Sequence, residues 1–296
     1  MIEKNHYQLG DNLTPIGIAF YVAPYVNAIT RVGLEEEKRT LFEAMLDWKA
    51  YESIPSTKRG CKGQLETRVE QAVRNCTNVK NRQTKTQDQN LETIEQLIED
   101  QNLLSHKLLI IKLESVLFDK NLNGLIANKL SAKYQRPTMI LVKHTHDDGS
   151  VTWDGSARGY EVSKLTDFRG FVRDSGYADL AEGHANAFGV SFEDSQIIKF
   201  IEYADCVLCN MDFTPCYKVD FIYSAQNLKS KDVLDIGSMK SLWGQNVGEA
   251  LIAVEGLAIS ADKLTLMSRD KNPTLKITLP NGVACIKFKS SEEEYQ

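Results

Sequence analysis

Three polar side chains, Ser156, Arg158 and His184, stand among small residues in two stretches, Gly155-Ser156-Ala157-Arg158-Gly159 and Gly183-His184-Ala185-Asn186-Ala187-Phe188-Gly189. A hydroxyl and a forked guanidinium are the donors that hold phosphate oxygens. A backbone of Gly, Ser and Ala can approach a ligand closely enough for its own N–H groups to form an anion-binding nest. The expectation is a phosphate site made by Gly155, Ser156, Arg158, Gly183 and His184. The competing reading is a tight turn after a hairpin and a histidine satisfied by backbone, and the choice rests on context.

Other reactive residue types give less. The chain has five histidines but no Asp-His-His, no Asp-x-Asp with a partner histidine, no P-loop and no Ser-His-Asp arrangement that sequence singles out. Cys206 and Cys209 have the spacing of half a zinc site, but no second Cys-x-x-Cys follows. Both fall within the apolar pattern of Ile197, Ile198, Ile201 and Ala204, so they are expected as buried, reduced thiols, and no metal ligand is assigned. His144, His146 and Asp147 read as an exposed strand end beside a hairpin turn at Asp148-Gly149.

The elements that must position these groups alternate between helix and strand. Lys107–Leu113 is a buried-strand run, Asn121–Tyr134 an amphipathic helix and Thr138–Lys143 a second strand. A helix over Leu165–Arg173, a strand over Ala187–Phe192 and a helix over Glu193–Cys209 follow. Upstream, Thr14-Pro15 supplies a helix start, and a long helical pattern runs from Leu65 through Ile98. Between Lys58 and Lys85 lie eight Lys or Arg against two acids, Glu66 and Glu70. That run is either a solvated helix face or a wall that tracks phosphates. After Asp212 the texture turns to short strands, with a hairpin signal at Asn281-Gly282, a small β-barrel pattern.

In order, Asn123-Gly124-Leu125-Ile126-Ala127-Asn128-Lys129-Leu130, Arg136-Pro137, Gly155-Ser156-Ala157-Arg158 and Gly183-His184-Ala185-Asn186-Ala187-Phe188-Gly189 resemble the DHH-associated domain of the DHH phosphoesterase superfamily. The flanks resemble RecJ-type single-strand-specific exonucleases. Ala23-Pro24-Tyr25-Val26-Asn27-Ala28-Ile29-Thr30-Arg31 is similar to the segment those enzymes place after their catalytic domain, with Ile29-Thr30 where the family has Ala-Gly. Leu242–Glu249 is similar to the family's lead-in to an oligonucleotide-binding fold, without its prolines.

The resemblance implies an α/β fold in three parts: a helical linker region (1–100), a mixed-sheet DHH-associated domain (101–212) and a β-barrel, oligonucleotide-binding-like domain (213–296). It implies that Arg31, Ser156 and Arg158 hold a terminal 5'-phosphate and that His184 lines the same pocket. Arg74, Lys80, Arg82 and Lys85 are implied as strand-tracking cations. The family's catalytic half, with its Mn²⁺ or Mg²⁺ ions, is expected in a separate DHH domain, joined in cis or acting in trans. Three functions stay open: the single-stranded-DNA-gripping part of a 5'-to-3' exonuclease, a non-catalytic single-strand-binding or replication accessory module, and an oligoribonucleotide phosphodiesterase.

Composition is compatible with all three. The 296 residues suit about two domains, with 42% hydrophobic and 25% charged residues as in ordinary globular proteins. A net charge of −5 excludes a uniformly basic nucleic-acid binder, so affinity for a strand must come from a local patch. No signal-peptide pattern and no bilayer-length apolar run are seen, so the cytoplasm is the expected compartment, without a membrane partner.

Overall fold

Residues 1–11, 13–114, 120–244, 246–267, 273–279, 281–288 and 290 are described by a computed structural model of the chain. They fall into two units, one comprising Met1 with residues 22–216 and the other residues 2–21 with 217–296.

The first unit is organised on a five-stranded sheet. Its strands are β1 (Leu109–Leu113), β2 (Thr138–Thr145), β3 (Val151–Arg158), β4 (Leu180–His184) and β5 (Ala187–Glu193), in spatial order β1-β2-β3-β5-β4. β1 and β2 are parallel and every other pairing is antiparallel, which makes the sheet mixed. A parallel pair needs a crossover, and the helix Asn123–Tyr134 supplies it. The β2–β3 hairpin turns at Asp148-Gly149, where Gly149 takes the positive φ of +84° that the turn requires. β4 was not legible in the sequence: Leu180-Ala181-Glu182-Gly183-His184 lacks the β-branched residues that mark strands.

The helices that bear on the site are α1 (Ala23–Val32), α2 (Glu35–Glu43), α3 (Arg68–Asp100), α4 (Asn123–Tyr134), α5 (Phe168–Asp174) and α6 (Asp194–Val207). α3 starts where Thr67 caps it. The Thr67 hydroxyl accepts from the Glu70 amide at 3.2 Å while the Glu70 carboxylate accepts from the Thr67 amide at 2.7 Å. Its 33 residues make a rod of about 50 Å that serves two cores. Cys76 and Val79 near its start pack with Ala28 and Ile29 of α1, and Ile94 and Ile98 near its end pack with Leu109, Ile111, Ile126 and Ile140. Gln83 and Gln87 are buried between them.

Alternation along β3 divides its side chains between the two faces of the sheet. Trp153 and Ala157 enter the core made with Phe168, Val172 and Phe200 of α5 and α6. Ser156 and Arg158 stand on the other face, the one that α3 and α4 partly cover.

In the second unit the helix Pro15–Tyr21 begins at Thr14, whose hydroxyl accepts from the Gly17 amide at 3.0 Å. Strands Phe221–Ser224 and Ile252–Glu255 pair in parallel, and Leu264–Met267, Thr274–Thr278 and Ala284–Phe288 form an antiparallel meander turning at Asn281-Gly282. Among the described residues these strands make two separate sheets and no closed barrel. A helix not anticipated from the sequence, Ser230–Ser238, lies in the connection between the parallel strands and interrupts the run of hairpins that a barrel pattern presumes. Within the lead-in Leu242–Glu249, Gln245 lies outside the described residues. No helix among the described residues is long and apolar enough to cross a membrane.

Gly155 pairs with Leu141 on one side and Val190 on the other, and an added Cβ would overlap the backbone carbonyl of Ile140. Gly189, opposite Ser156, has only ordinary contacts near the same position. Gly155→Ala is expected to destabilise the first unit by about 3 kcal/mol or more, and Gly189→Ala by well under half of that, as read by denaturant unfolding.

Candidate nucleic-acid interface

Arg158 is the last residue of β3. The register aligns Thr138, Arg158, Ala187 and His184 in one row, so Arg158 and His184 share a face of the sheet with β5 between their strands. The guanidinium is half-buried against the first turn of α4, where a Cβ on Gly124 would overlap Nη2. Its hydrogen bond among the described residues is from Nη1 to its own neighbour, the Ala157 carbonyl, at 2.7 Å. Burial first, and then the positive charge of Arg31, hold its pKa below the ordinary arginine value.

Arg31 comes from the last turn of α1, and its carbonyl accepts from the Asn121 amide at 3.3 Å. Replacement of the family's Ala-Gly by Ile29-Thr30 leaves this helix intact. Ile29 is fully buried, and the Thr30 hydroxyl donates back to the Asn27 carbonyl at 3.0 Å. The third cation is Lys80 on α3. Burial, followed by the charges of Lys129 and Arg31, pushes its pKa below that of an ordinary lysine. Lys80 Nζ donates to Gln83 Oε1 at 3.1 Å, and Gln83 Nε2 is buried with no hydrogen-bond partner among the described residues.

Arg31 thus lies within electrostatic range of both Arg158 and Lys80, and none of the three forms an ion pair with a carboxylate among the described residues. Lys129, in range of Lys80, is paired with Asp88 at 2.9 Å. The N-terminus of α4 adds a partial positive charge beside Arg158. Like charges held together in partly desolvated surroundings repel one another, and an anion is the species that relieves the repulsion.

Ser156 lies two residues before Arg158 on the same face, about 7 Å along the strand, and lines a cleft of about 450 Å³ beside the start of α4. Gly155-Ser156-Ala157-Arg158 is a strand and not a loop. It is paired on both sides by β2 and β5, so its backbone amides serve the ladder and form no nest. The Gly183–Gly189 segment is likewise a hairpin, with Ala185-Asn186 as its two-residue turn. Gly183 has φ +136°, and an added Cβ would meet the Ala187 carbonyl oxygen at 2.7 Å. Asn186 anchors the turn, its carbonyl accepting from Gly159 at 2.9 Å and its amide donating to Thr166 at 3.1 Å. His184 is exposed at the end of β4.

The basic run divides. Arg74 is bound to Glu66 and donates to the Thr57 hydroxyl at 2.7 Å, and Arg82 is paired with Glu37 at 2.9 Å. Lys85 is exposed and makes no ion pair among the described residues. Of the four cations expected to track a strand, only Lys80 joins the cluster. The sequence did not single out Lys129, Asn123 or Gln83 as site residues. A signal existed for Gln83: it and Gln87 continue the spacing of Cys76 and Val79, and polar residues at core spacing mark a buried polar site.

Cys206 and Cys209 are exposed, as is Cys216, which corrects the expectation of buried thiols. The inward positions of α6 are Ile197, Phe200 and Ala204, continued by Leu208. A 3.6-residue period from these turns 206 and 209 outward. No group of three His, Cys, Asp or Glu among the described residues could hold a metal ion, so the donor sets present do not fit the family's divalent ions.

The first unit is a mixed α/β domain with basic residues on one face of its five-stranded sheet. No family model matches the chain. It is 31% identical over 281 residues to a putative SPbeta prophage-derived single-strand DNA-specific exonuclease, YorK, of Bacillus subtilis strain 168, and equally to the putative single-strand DNA-specific exonuclease yorK of Bacillus phage SPbeta. The match covers 93% of this chain and 47% of each relative, so the chain spans about half the length of the curated relatives it matches. In fold it is similar to RecJ of Thermus thermophilus in complex with Mn²⁺, with a TM-score of 0.61 at 14% identity over 98% of this chain and 38% of that one. The Mg²⁺ complex of the same protein gives 0.54 at 14% identity, over 98% and 40%. By sequence the chain is similar to curated proteins named as putative single-strand DNA-specific exonucleases over about half of their length, and in fold it is similar to RecJ.

The Lys80 ammonium is held in the cluster against burial and two like charges. Lys80→Met keeps the side-chain bulk and removes the charge, so it is expected to raise the thermal midpoint of the free protein by on the order of 2 °C. Added inorganic phosphate should raise the wild-type midpoint more than that of the variant. A lower midpoint for the variant would show that the ammonium is stabilising where it stands.

Proposed function

We propose that this chain is the nucleic-acid-gripping part of a RecJ-type exonuclease specific for single-stranded DNA, and that its cation cluster holds the 5'-phosphate end of the strand. The observation that carries the reading is the half-buried Arg158 guanidinium, seated against Gly124 with no carboxylate partner among the described residues, with Arg31 in range of both it and Lys80. It occurs in a chain whose relatives are named as single-strand DNA-specific exonucleases.

In this reading Arg158 donates two parallel hydrogen bonds to the terminal phosphate from a position fixed by Gly124. Arg31 and Lys80 supply the remaining charge, a dianionic end drawing more from them than an internal diester does. The Ser156 hydroxyl completes the grip on the strand side, and exposed His184 borders the entrance. Lys85, on the solvent side of α3, follows the backbone further along. Cleavage belongs to a DHH domain with divalent ions, in cis or in trans, which supplies the metal-activated water that the described residues here have no donor set to generate. The contribution of this chain is to fix the strand end so that the scissile bond is presented in register.

Arg158→Ala is expected to cost a 5'-phosphorylated oligonucleotide roughly 1.5 to 3 kcal/mol of binding and a 5'-hydroxyl oligonucleotide much less. Arg158→Lys should already weaken the phosphorylated strand, because an ammonium cannot reproduce the fork. Equal losses for both strand ends, in a protein still folded by circular dichroism, would sink the 5'-end assignment. Separately, titration against salt should show Lys85→Ala reducing the log–log slope of single-strand affinity by about 0.7, the value for one lost contact to a single strand. An unchanged slope removes Lys85 from the path.

A further inference from the structure

Apart from the Ser156 hydroxyl, the cleft beside Ser156 is lined with the chemistry of a different ligand. It is bounded by Asn123 at the first residue of α4, Val142 and His144 of β2, and Asp154, Gly155 and Ser156 of β3. Asn123 is 3% exposed, and its Oδ1 has no hydrogen-bond partner among the described residues. A buried acceptor left unmade costs more than a hydrogen bond contributes, so a site that keeps one is built to receive a donor. The Asp154 carboxylate is also in the wall, with its oxygens accepting from Ser191 at 2.5 Å and Thr152 at 2.8 Å. The cation in the lining, Lys143, is paired with Glu114 at 2.9 Å. A cleft with a fixed carboxylate, a spare carbonyl-type acceptor and a neutralised lysine repels a second phosphate and suits a neutral, planar group carrying N–H donors. At the mouth the exposed His144 ring lies 4.6 Å from that of His146, giving an aromatic surface on which such a group can stack.

We infer that this cleft takes the nucleobase of the strand's first nucleotide, with an N–H of the base edge donating to Asn123 Oδ1. The inference rests on the 5'-phosphate reading for the identity of the strand end. Its geometry is that of one nucleotide: Arg158 and Ser156 are successive residues on one face of β3, about 7 Å apart, and Ser156 borders the cleft. Gly124 seats the guanidinium while Asn123, its neighbour, turns into the cleft, so the first turn of α4 addresses both ends of the nucleotide. All four bases carry an N–H on the edge used in pairing, so the pocket favours a base over its absence without choosing strongly among bases.

The test uses the whole chain and a pair of short 5'-phosphorylated oligodeoxynucleotides, identical except that one has an abasic tetrahydrofuran at its first position. The wild-type protein should bind the abasic strand about tenfold more weakly. Asn123→Ala should bind both strands alike at the weaker level while still preferring a 5'-phosphate over a 5'-hydroxyl. Equal binding of the two strands by the wild type, or full discrimination persisting in Asn123→Ala, overturns the base pocket. If Asn123→Ala does not fold, the wild type decides. 2-Aminopurine at the first position should lose access to acrylamide quenching on binding, relative to the same base in the interior, and undiminished quenching overturns the inference. Base discrimination that survives with no preference for a 5'-phosphate would instead leave the cleft standing and remove the phosphate reading.

Discussion

The half-buried guanidinium of Arg158, held against the start of α4 because residue 124 is a glycine, is the constraint on which the site depends. A cation at a helix N-terminus, with a second cation in range and no acid paired to it, is an unfavourable arrangement by ordinary electrostatics. The fold tolerates it because the guanidinium is carried on the last residue of a strand paired on both sides, whose remaining side chains are fixed by two cores. Trp153 and Ala157 belong to one core, and Ile140, opposite Ser156, belongs to the other. Packing supplies the rigidity, and the charge cluster is the strain it sustains.

The long helix α3 performs the corresponding task from the other side. Its two ends are anchored in separate apolar clusters, while its middle, where Gln83 and Gln87 replace apolar residues, carries Lys80 toward Arg31 and Lys129. A helix of this length keeps its side chains at fixed height and angle only if both ends are held. Arg74 and Arg82 lie on the same helix yet are neutralised by Glu66 and Glu37. Electropositive character is thereby concentrated at the cluster instead of being spread along the rod. In a chain of net charge −5, positive character is therefore local.

The division of labour between Asn123 and Gly124 follows from helix geometry. Consecutive helical residues point about 100° apart, so one can line a cleft while its neighbour lets a guanidinium approach the helix backbone. The Arg158 guanidinium lies against Gly124 of that turn, and Asn123 of the same turn borders the acceptor-lined cleft. Where the two meet, Ser156 contributes a hydroxyl, which donates or accepts and is compatible with both.

The sequence by itself determined the α/β alternation around residues 107–143, the hairpins at Asp148-Gly149 and Asn281-Gly282, the ordered small-residue stretches and the RecJ-like resemblance. All of these depend on local turn chemistry, short-range periodicity or residues read in order. It also picked out Ser156, Arg158 and His184, though as members of a loop-like nest, and Arg31 through the resemblance of its segment. Only the tertiary structure decided that Gly155–Arg158 is a central strand, that Gly183-His184 belongs to a hairpin, and that Arg31, far in the chain from both Lys80 and Arg158, comes within electrostatic range of each. The arrangement of the tail, with a helix in the connection between two parallel strands, was decided there as well. Each of these turns on which strand lies beside which and on which acid lies beside which base. Such facts depend on contacts between residues distant in sequence, and residue type and spacing leave them open.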